Sequence, residues 1–120
     1  MTTKEVAERL VGLCREGKNL QAIEELYHDN IVSIEPEGAQ NPRVEGKKAL
    51  IEKEKGFFDS VEKVHSSFTS DPIVAKDHFS VSMGMDITFK GIGRFAIDEI
   101  AVYEVKDGKI IREEFFFNMH

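Results

Sequence analysis

The chain has 120 residues, 41% hydrophobic and 32% charged, the size and balance of one soluble globular domain with a single sizeable core. Its net charge of −6 argues against non-specific binding to nucleic acid or anionic membranes, which needs a basic patch. One cysteine, Cys14, excludes an internal disulfide, and its place in a helical pattern reads as a small buried hydrophobe. No apolar run approaches the ~20 residues of a membrane span. The N-terminus does not read as a signal peptide, so a cytoplasmic protein is expected.

Three helices are predicted first. Thr2 and Glu5 have capping-box spacing, and Val6, Leu10, Leu13 and Cys14 follow helical periodicity up to Gly17. Asn19 can cap a second helix in which Leu20, Ile23, Leu26 and Tyr27 share a face. Ile31 to Glu35 reads as a short strand stopped by Pro36, with Ile31, Ser33 and Glu35 on one face. Pro36 to Gly46 reads as a loop, and a third helix runs from about Gly46 to Asp59, with Ala49, Leu50, Lys53 and Phe57 along one side.

After Ser60 the period becomes two. Val64, Ser66 and Phe68 alternate with His65, Ser67 and Thr69, Asp71-Pro72 interrupts, and Ile73 to Ala75 resumes before a turn at Lys76-Asp77. Val81, Met83, Met85, Ile87 and Phe89 then alternate with small and polar residues. Gly91-Ile92-Gly93 turns the chain into a strand reaching Lys106, Asp107-Gly108 is a two-residue hairpin signal, and a last strand runs from Lys109 to about Asn118. The whole reads as one α+β domain, residues 1–120, with helices on one side of a long antiparallel sheet.

The acidic pair Asp98-Glu99 interrupts an otherwise apolar strand. Successive strand side chains point to opposite faces, so a regular strand turns one of the two inward. A buried carboxyl needs partners or shifts its pKa. If Asp107-Gly108 form the loop, Lys106 faces Lys109, Asp98 lies opposite Phe117, Ile100 opposite Phe115 and Val102 opposite Glu113. Glu99 then lies opposite Phe116, and Tyr103 opposite Arg112, on the more polar face. The preceding turn leaves two registers. A Gly91-Ile92 loop puts Asp98 on the methionine face, whereas a Gly91-Ile92-Gly93 loop puts Glu99 there.

The element order resembles the nuclear transport factor 2-like superfamily, and specifically its SnoaL-like and ketosteroid-isomerase-like members. The residues that carry the resemblance are Leu26 to Asn30, Ile34-Glu35-Pro36 with Gly38, Ile97-Asp98, and Asp107 to Ile110. It implies a cone-shaped, cystatin-like α+β roll, with three helices packed on a curved sheet around an apolar pocket. The isomerases use an acid before a proline as a proton shuttle, a place held here by Glu35. They use a second, protonated acid in an Ile-Asp step, which Asp98 matches and which favours the first register. Their first-helix tyrosine falls near Leu10, and this helix has none.

Glu35 and Asp98 are therefore the candidate catalytic pair, base and oxyanion donor. Tyr27, Phe57, Met83, Met85, Phe115 and Phe117 are the candidate pocket lining. The expected ligand is a small apolar carbonyl compound, with no cofactor. Glu113 is read as one half of a salt bridge to Lys or Arg, and Asn118 as a terminal polar residue on the opposite face. His28, His65, His78 and His120 lack metal-ligand spacing, so no metal is expected. Ile97, Ala101, Tyr103 and Phe116 are read as an apolar outer face, and the resemblance adds a homodimer through it.

Overall fold

A computed structural model describes residues 1–118; His120 lies outside the described residues. The elements are α1 (Thr3–Arg15), α2 (Asn19–Leu26), β1 (Tyr27–Ile34), β2 (Arg43–Glu45), α3 (Lys47–Asp59), β3 (Val61–Thr69), β4 (Ile73–Val74), β5 (His78–Phe89), β6 (Gly93–Lys106) and β7 (Lys109–Phe116).

Helix α1 begins with the capping box expected of Thr2 and Glu5. It ends because Gly17 adopts φ 73°, which an L side chain resists. The Lys18 N–H then reaches the Leu13 carbonyl and the Gly17 N–H the Cys14 carbonyl, the paired bonds of a Schellman motif. Val6, Leu10, Val11 and Leu13 are buried, and Cys14 packs against them half-buried. Helix α2 has no side-chain cap. Asn19 is its first residue, and its amide points to the Cys14 sulfur instead. In α3 only Leu50 is fully buried, with Lys53, Glu54 and Phe57 half-buried along the same stripe and Ala49 exposed.

The strands form one curved sheet in the order β2-β1-β7-β6-β5-β3, with β4 paired to β5. The sheet is mixed rather than antiparallel, because β1 runs parallel to β7. β1 starts at Tyr27, earlier than its periodicity implies, and bulges between Tyr27 and Val32, where exposed polar residues give no alternation. The expected loop contains the three-residue strand β2. Among the described residues no helix is long and apolar enough to cross a membrane.

Two local irregularities set which side chains face the helices. The β6–β7 turn is the expected two-residue one, with Lys106 opposite Lys109 and both Asp107 and Gly108 at positive φ. A bulge then shifts the pairing, so that Glu104 meets Arg112, Tyr103 meets Glu113 and Ala101 meets Phe115. The β5–β6 turn has three residues, Lys90-Gly91-Ile92, with Phe89 opposite Gly93. Met83 therefore meets Glu99, and Gly84 meets Asp98. Glu99 faces the helices together with Met83, Ala101, Tyr103, Glu113 and Phe115. Asp98 is exposed on the opposite side, which corrects its expected orientation and that of Glu99. Ile97, Ala101 and Tyr103 likewise move from the outer to the inner face.

Candidate functional site

Six carboxyl-bearing or phenolic side chains, Glu35, Glu54, Glu99, Glu113, Tyr27 and Tyr103, lie near enough for their charges to act on one another. Glu35 follows β1 and keeps the face of Ile31 and Ser33, as the alternation requires, and its N–H bonds the Pro42 carbonyl at 2.7 Å. Its carboxylate pairs with Lys53, and the Lys53 ammonium also donates to the Asn41 carbonyl at 3.0 Å. Glu54 follows on α3, half-buried beside this pair. β6 contributes Glu99 and Tyr103, and β7 contributes Glu113.

Glu113 is 3% exposed and accepts two hydrogen bonds from β1, one from the Tyr27 hydroxyl and one from Ser33 Oγ at 2.6 Å. These donors lie on either side of the β1 bulge, so one carboxyl fastens both ends of the irregular segment. The expected salt bridge to a cation is replaced by these two hydroxyls. Glu113 gives no alternation signal of its own; its inward orientation depends on the β7 bulge.

Burial dominates the electrostatics. Desolvation pushes the Glu99 carboxyl up to about 7, and the nearby charges of Glu35, Glu54 and Glu113 add to the shift. Desolvation likewise raises Glu113 to about 7, against the pull of the Ser33 and Tyr27 bonds. Glu54 is raised by burial and then by Glu35, with Lys53 opposing. Tyr27 and Tyr103 are raised well above 10, chiefly by burial, and stay protonated. Burial also holds the Cys14 thiol at about 12, which makes it a poor nucleophile.

Of the expected catalytic pair, the structure brings Glu35 to this cluster and leaves Asp98 outside it. Of the expected lining, Tyr27 is buried and bonded to Glu113, while Met83 and Phe115 pack against the core from the inner face. Met85 is half-buried on the Met83 side of β5. Phe57 packs edge-on against Phe89 at 5.7 Å, near the far end of the sheet. Phe117 and Asn118 follow β7, the first half-buried and the second exposed. Two open surface grooves lie elsewhere. One of about 310 Å³ is lined by Asp29, Lys47, Lys48, Ile51 and Glu52. The other, about 170 Å³, lies on the outer sheet face between His78, Val102, Arg112 and Phe116. Neither touches the carboxyl cluster, where the perturbed groups are. Among the described residues no three His, Cys, Asp or Glu side chains converge as metal ligands.

Comparison with known proteins bears on the same architecture. A family model described as a SnoaL-like domain matches residues 1–117. A Mesorhizobium loti protein provisionally called a SnoaL-like polyketide cyclase is 33% identical, with a TM-score of 0.92 over 98% of this chain and 100% of that one. A Catenulispora acidiphila protein with a ketosteroid isomerase-like fold, solved in complex with trimethylamine, is 16% identical, with a TM-score of 0.76 over 98% of this chain and 88% of that one. A Xanthomonas campestris protein with a cystatin-like fold is 13% identical, with a TM-score of 0.81 over 98% and 91% of the two chains. Comparison with curated proteins gives no match. These similarities share the three helices and curved sheet described above, and the chain belongs to the SnoaL-like domain family.

Proposed function

We propose that the inner face binds a small apolar carbonyl compound and transfers a proton on it without a cofactor. The observation that carries this reading is Glu99, turned inward by the β5–β6 turn and held at about 7 among Glu35, Glu54 and Glu113. A carboxyl poised near neutral pH both accepts and returns a proton, which is the requirement of general acid–base catalysis. Glu99 is thus the proton-transfer group. Glu35, tied to Lys53, is the second carboxyl that tunes it. Met83 and Phe115 supply the apolar wall. The names of the similar cyclase and isomerase-like proteins agree with carbonyl chemistry.

The test is deuterium uptake at the α-carbons of 2-indanone in D2O, followed by proton NMR. The protein should accelerate exchange, with a pH profile breaking near 7, and Glu99→Gln should lower the rate by 100-fold or more. Exchange at the buffer rate, with the ketone nonetheless bound, would establish a binding domain that does no proton transfer.

We also infer a homodimer through the outer sheet face. Phe68, Ile100 and Phe116 are 58%, 53% and 51% exposed there, and Ile100 and Phe116 are direct cross-strand partners. Charged Glu104, Arg112 and Glu114 edge the patch. An apolar centre with a polar rim is the anatomy of an interface. Sedimentation velocity should show a dimer that Ile100→Glu converts to a monomer. The single thiol suits a reducing compartment, and the cytoplasm is the location we propose.

A further inference from the structure

The outer sheet face is built in rows across β5, β6 and β7. Ser82, Ile100 and Phe116 form one row, Ser80, Val102 and Glu114 the next, and His78, Glu104 and Arg112 the row at the end. Ser80, Ser82 and Gly84 make a low strip along β5. Phe68 and Ile73, which pair with Gly84 and Ser80, border it on one side, and the ridge of Ile100 and Phe116 borders it on the other. Phe68, Ile73, Ile100 and Phe116 are each more than half exposed. A second copy stacked on this face covers all four in one arrangement. A two-fold axis along the strands, between β5 and β6, keeps each row opposite itself and exchanges the strands, as in aligned sheet packing. Ile100 of each copy then lies over Ser82 of the other, and Phe116 over the gap between Phe68 and Ile73. Asp98 falls over Gly84 and Arg94 over Thr88, so no like charges meet in these rows. An axis across the strands would instead set Ile100 on Ile100.

The same axis passes through the end row. His78 and Glu104 are direct cross-strand partners there, and both line the groove of about 170 Å³ on this face. Arg112 pairs with Glu114 at 3.0 Å, which leaves the Glu104 carboxylate available. The two-fold sets the partner's Glu104 over His78 and the partner's His78 over Glu104. Two imidazoles and two carboxylates then surround one point on the axis. Cross-strand Cβ atoms lie about 5 Å apart and packed sheets about 10 Å, so each side chain has about 5 Å to span, the reach of a His or Glu to a metal it ligates.

We infer that the dimer binds a divalent cation of the zinc class on its axis, held by His78 and Glu104 of both copies. Imidazole nitrogens with carboxylate oxygens in a set of four suit zinc, whereas magnesium and calcium take oxygen ligands. One copy supplies only two ligands, in keeping with the lack of three converging ligands among its described residues. This inference rests on the outer face being the dimer interface and adds a ligand that regulates it.

The test is sedimentation velocity on the full chain, freed of metal with EDTA and then titrated with zinc sulfate. The metal-free protein should be a reversible dimer. Zinc should lower its dissociation constant at least about tenfold, because it binds the dimer and not the monomer. Calorimetry should count one zinc for every two chains, and magnesium sulfate should have no effect. His78→Ala should keep the metal-free dimer and lose the zinc response, and Glu104→Gln should weaken that response at least about tenfold. His78 is exposed and Glu104 is only partly buried, so both variants should fold. If zinc leaves the dimer unchanged, or its effect survives both substitutions, the metal site is refuted and the dimer stands. If the chain is a monomer with and without zinc, the outer-face dimer fails and the site with it. Dimerisation seen only with zinc, and lost in His78→Ala, supports the site.

Discussion

Glu113 gives the sharpest test of the electrostatic account. Its carboxyl is raised from 4.5 to about 7, so the folded state holds a proton that the unfolded chain releases. Between those values the folded state binds more protons, and stability falls as pH rises. The gap between 4.5 and about 7, at 1.36 kcal/mol per pH unit, gives about 3 kcal/mol. Stability from this group is greatest below pH 4.5 and is lost by the time pH passes about 7. Glu99 acts in the same direction more weakly, since it is only half-buried. Glu5, Glu25 and Asp86 are lowered by Thr2, Arg9 and Arg94 respectively. Their effect has the opposite sign and is confined below their ordinary values.

The assay is urea denaturation of the wild type and Glu113→Gln at pH 5, 6, 7 and 8. The amide keeps the shape of the carboxyl and cannot ionise. The difference between the two proteins should change by about 2.5 kcal/mol across the series, the rest of the gap lying below pH 5, with the variant relatively more stable at pH 8. Glu113→Ala, by contrast, strands two buried hydroxyls and opens a cavity, and should cost about 2–4 kcal/mol at pH 5. If the wild type and Glu113→Gln run parallel from pH 5 to 8, Glu113 is ionised throughout and the reasoning fails.

Three further outcomes follow from the same geometry. Tyr27→Phe removes one of the two donors to Glu113, so it should destabilise by about 1.5–3 kcal/mol at pH 8 and by less at pH 5, read by the same denaturation series. Asp98→Asn changes an exposed side chain on the outer face, so stability should move by no more than about 0.5 kcal/mol and ketone exchange should be unaffected; a large loss of exchange would return Asp98 to the site. Cys14, with its thiol at about 12, should react with Ellman's reagent at pH 8 at least ~100-fold more slowly than in urea-unfolded protein. Rapid stoichiometric labelling of the folded chain would contradict that burial.

The helices were legible because each carries its own start, stripe and stop. Thr2 and Glu5 open α1, Gly17 closes it, and the spacing of Val6, Leu10 and Leu13 names the buried face. Strand alternation placed Ser33 and Glu35 on one face for the same local reason. The inward acid was not legible in this way. The Asp107-Gly108 turn was read correctly, but pairing beyond it depends on a bulge around Ile111, where Ile110-Ile111 offers no contrast between faces. A single extra residue exchanges every side chain beyond it. The local Ile97-Asp98 match then reinforced the wrong parity. Glu113 was missed as a hydrogen-bonded core residue because its partners, Tyr27 and Ser33, lie more than 75 residues away.

The β7 bulge thereby sets the chemistry of the inner face as well as its register. Without it Tyr103 would face Arg112 and Glu113 would share a face with Val102. With it, Glu113 meets Tyr103 and reaches back to Tyr27 and Ser33 across the parallel β1 seam. Those bonds span the β1 bulge, so the two irregular strands are fastened to each other where the polar floor of the face is built. Glu35 lies two residues past Ser33 and takes its direction from the same anchored strand. An irregularity that weakens local pairing is retained at a cost in ladder hydrogen bonds, and bulges concentrate where a side chain has to be re-aimed. Here the re-aimed side chains are the ones whose burial perturbs their titration. Because Ile111 is the extra residue, deleting it leaves Glu113 opposite Tyr103, so the near-neutral titration of Glu113 should survive the deletion in carboxyl 13C NMR; its loss would show that the bulge itself, and not the pairing beyond it, aims the side chain.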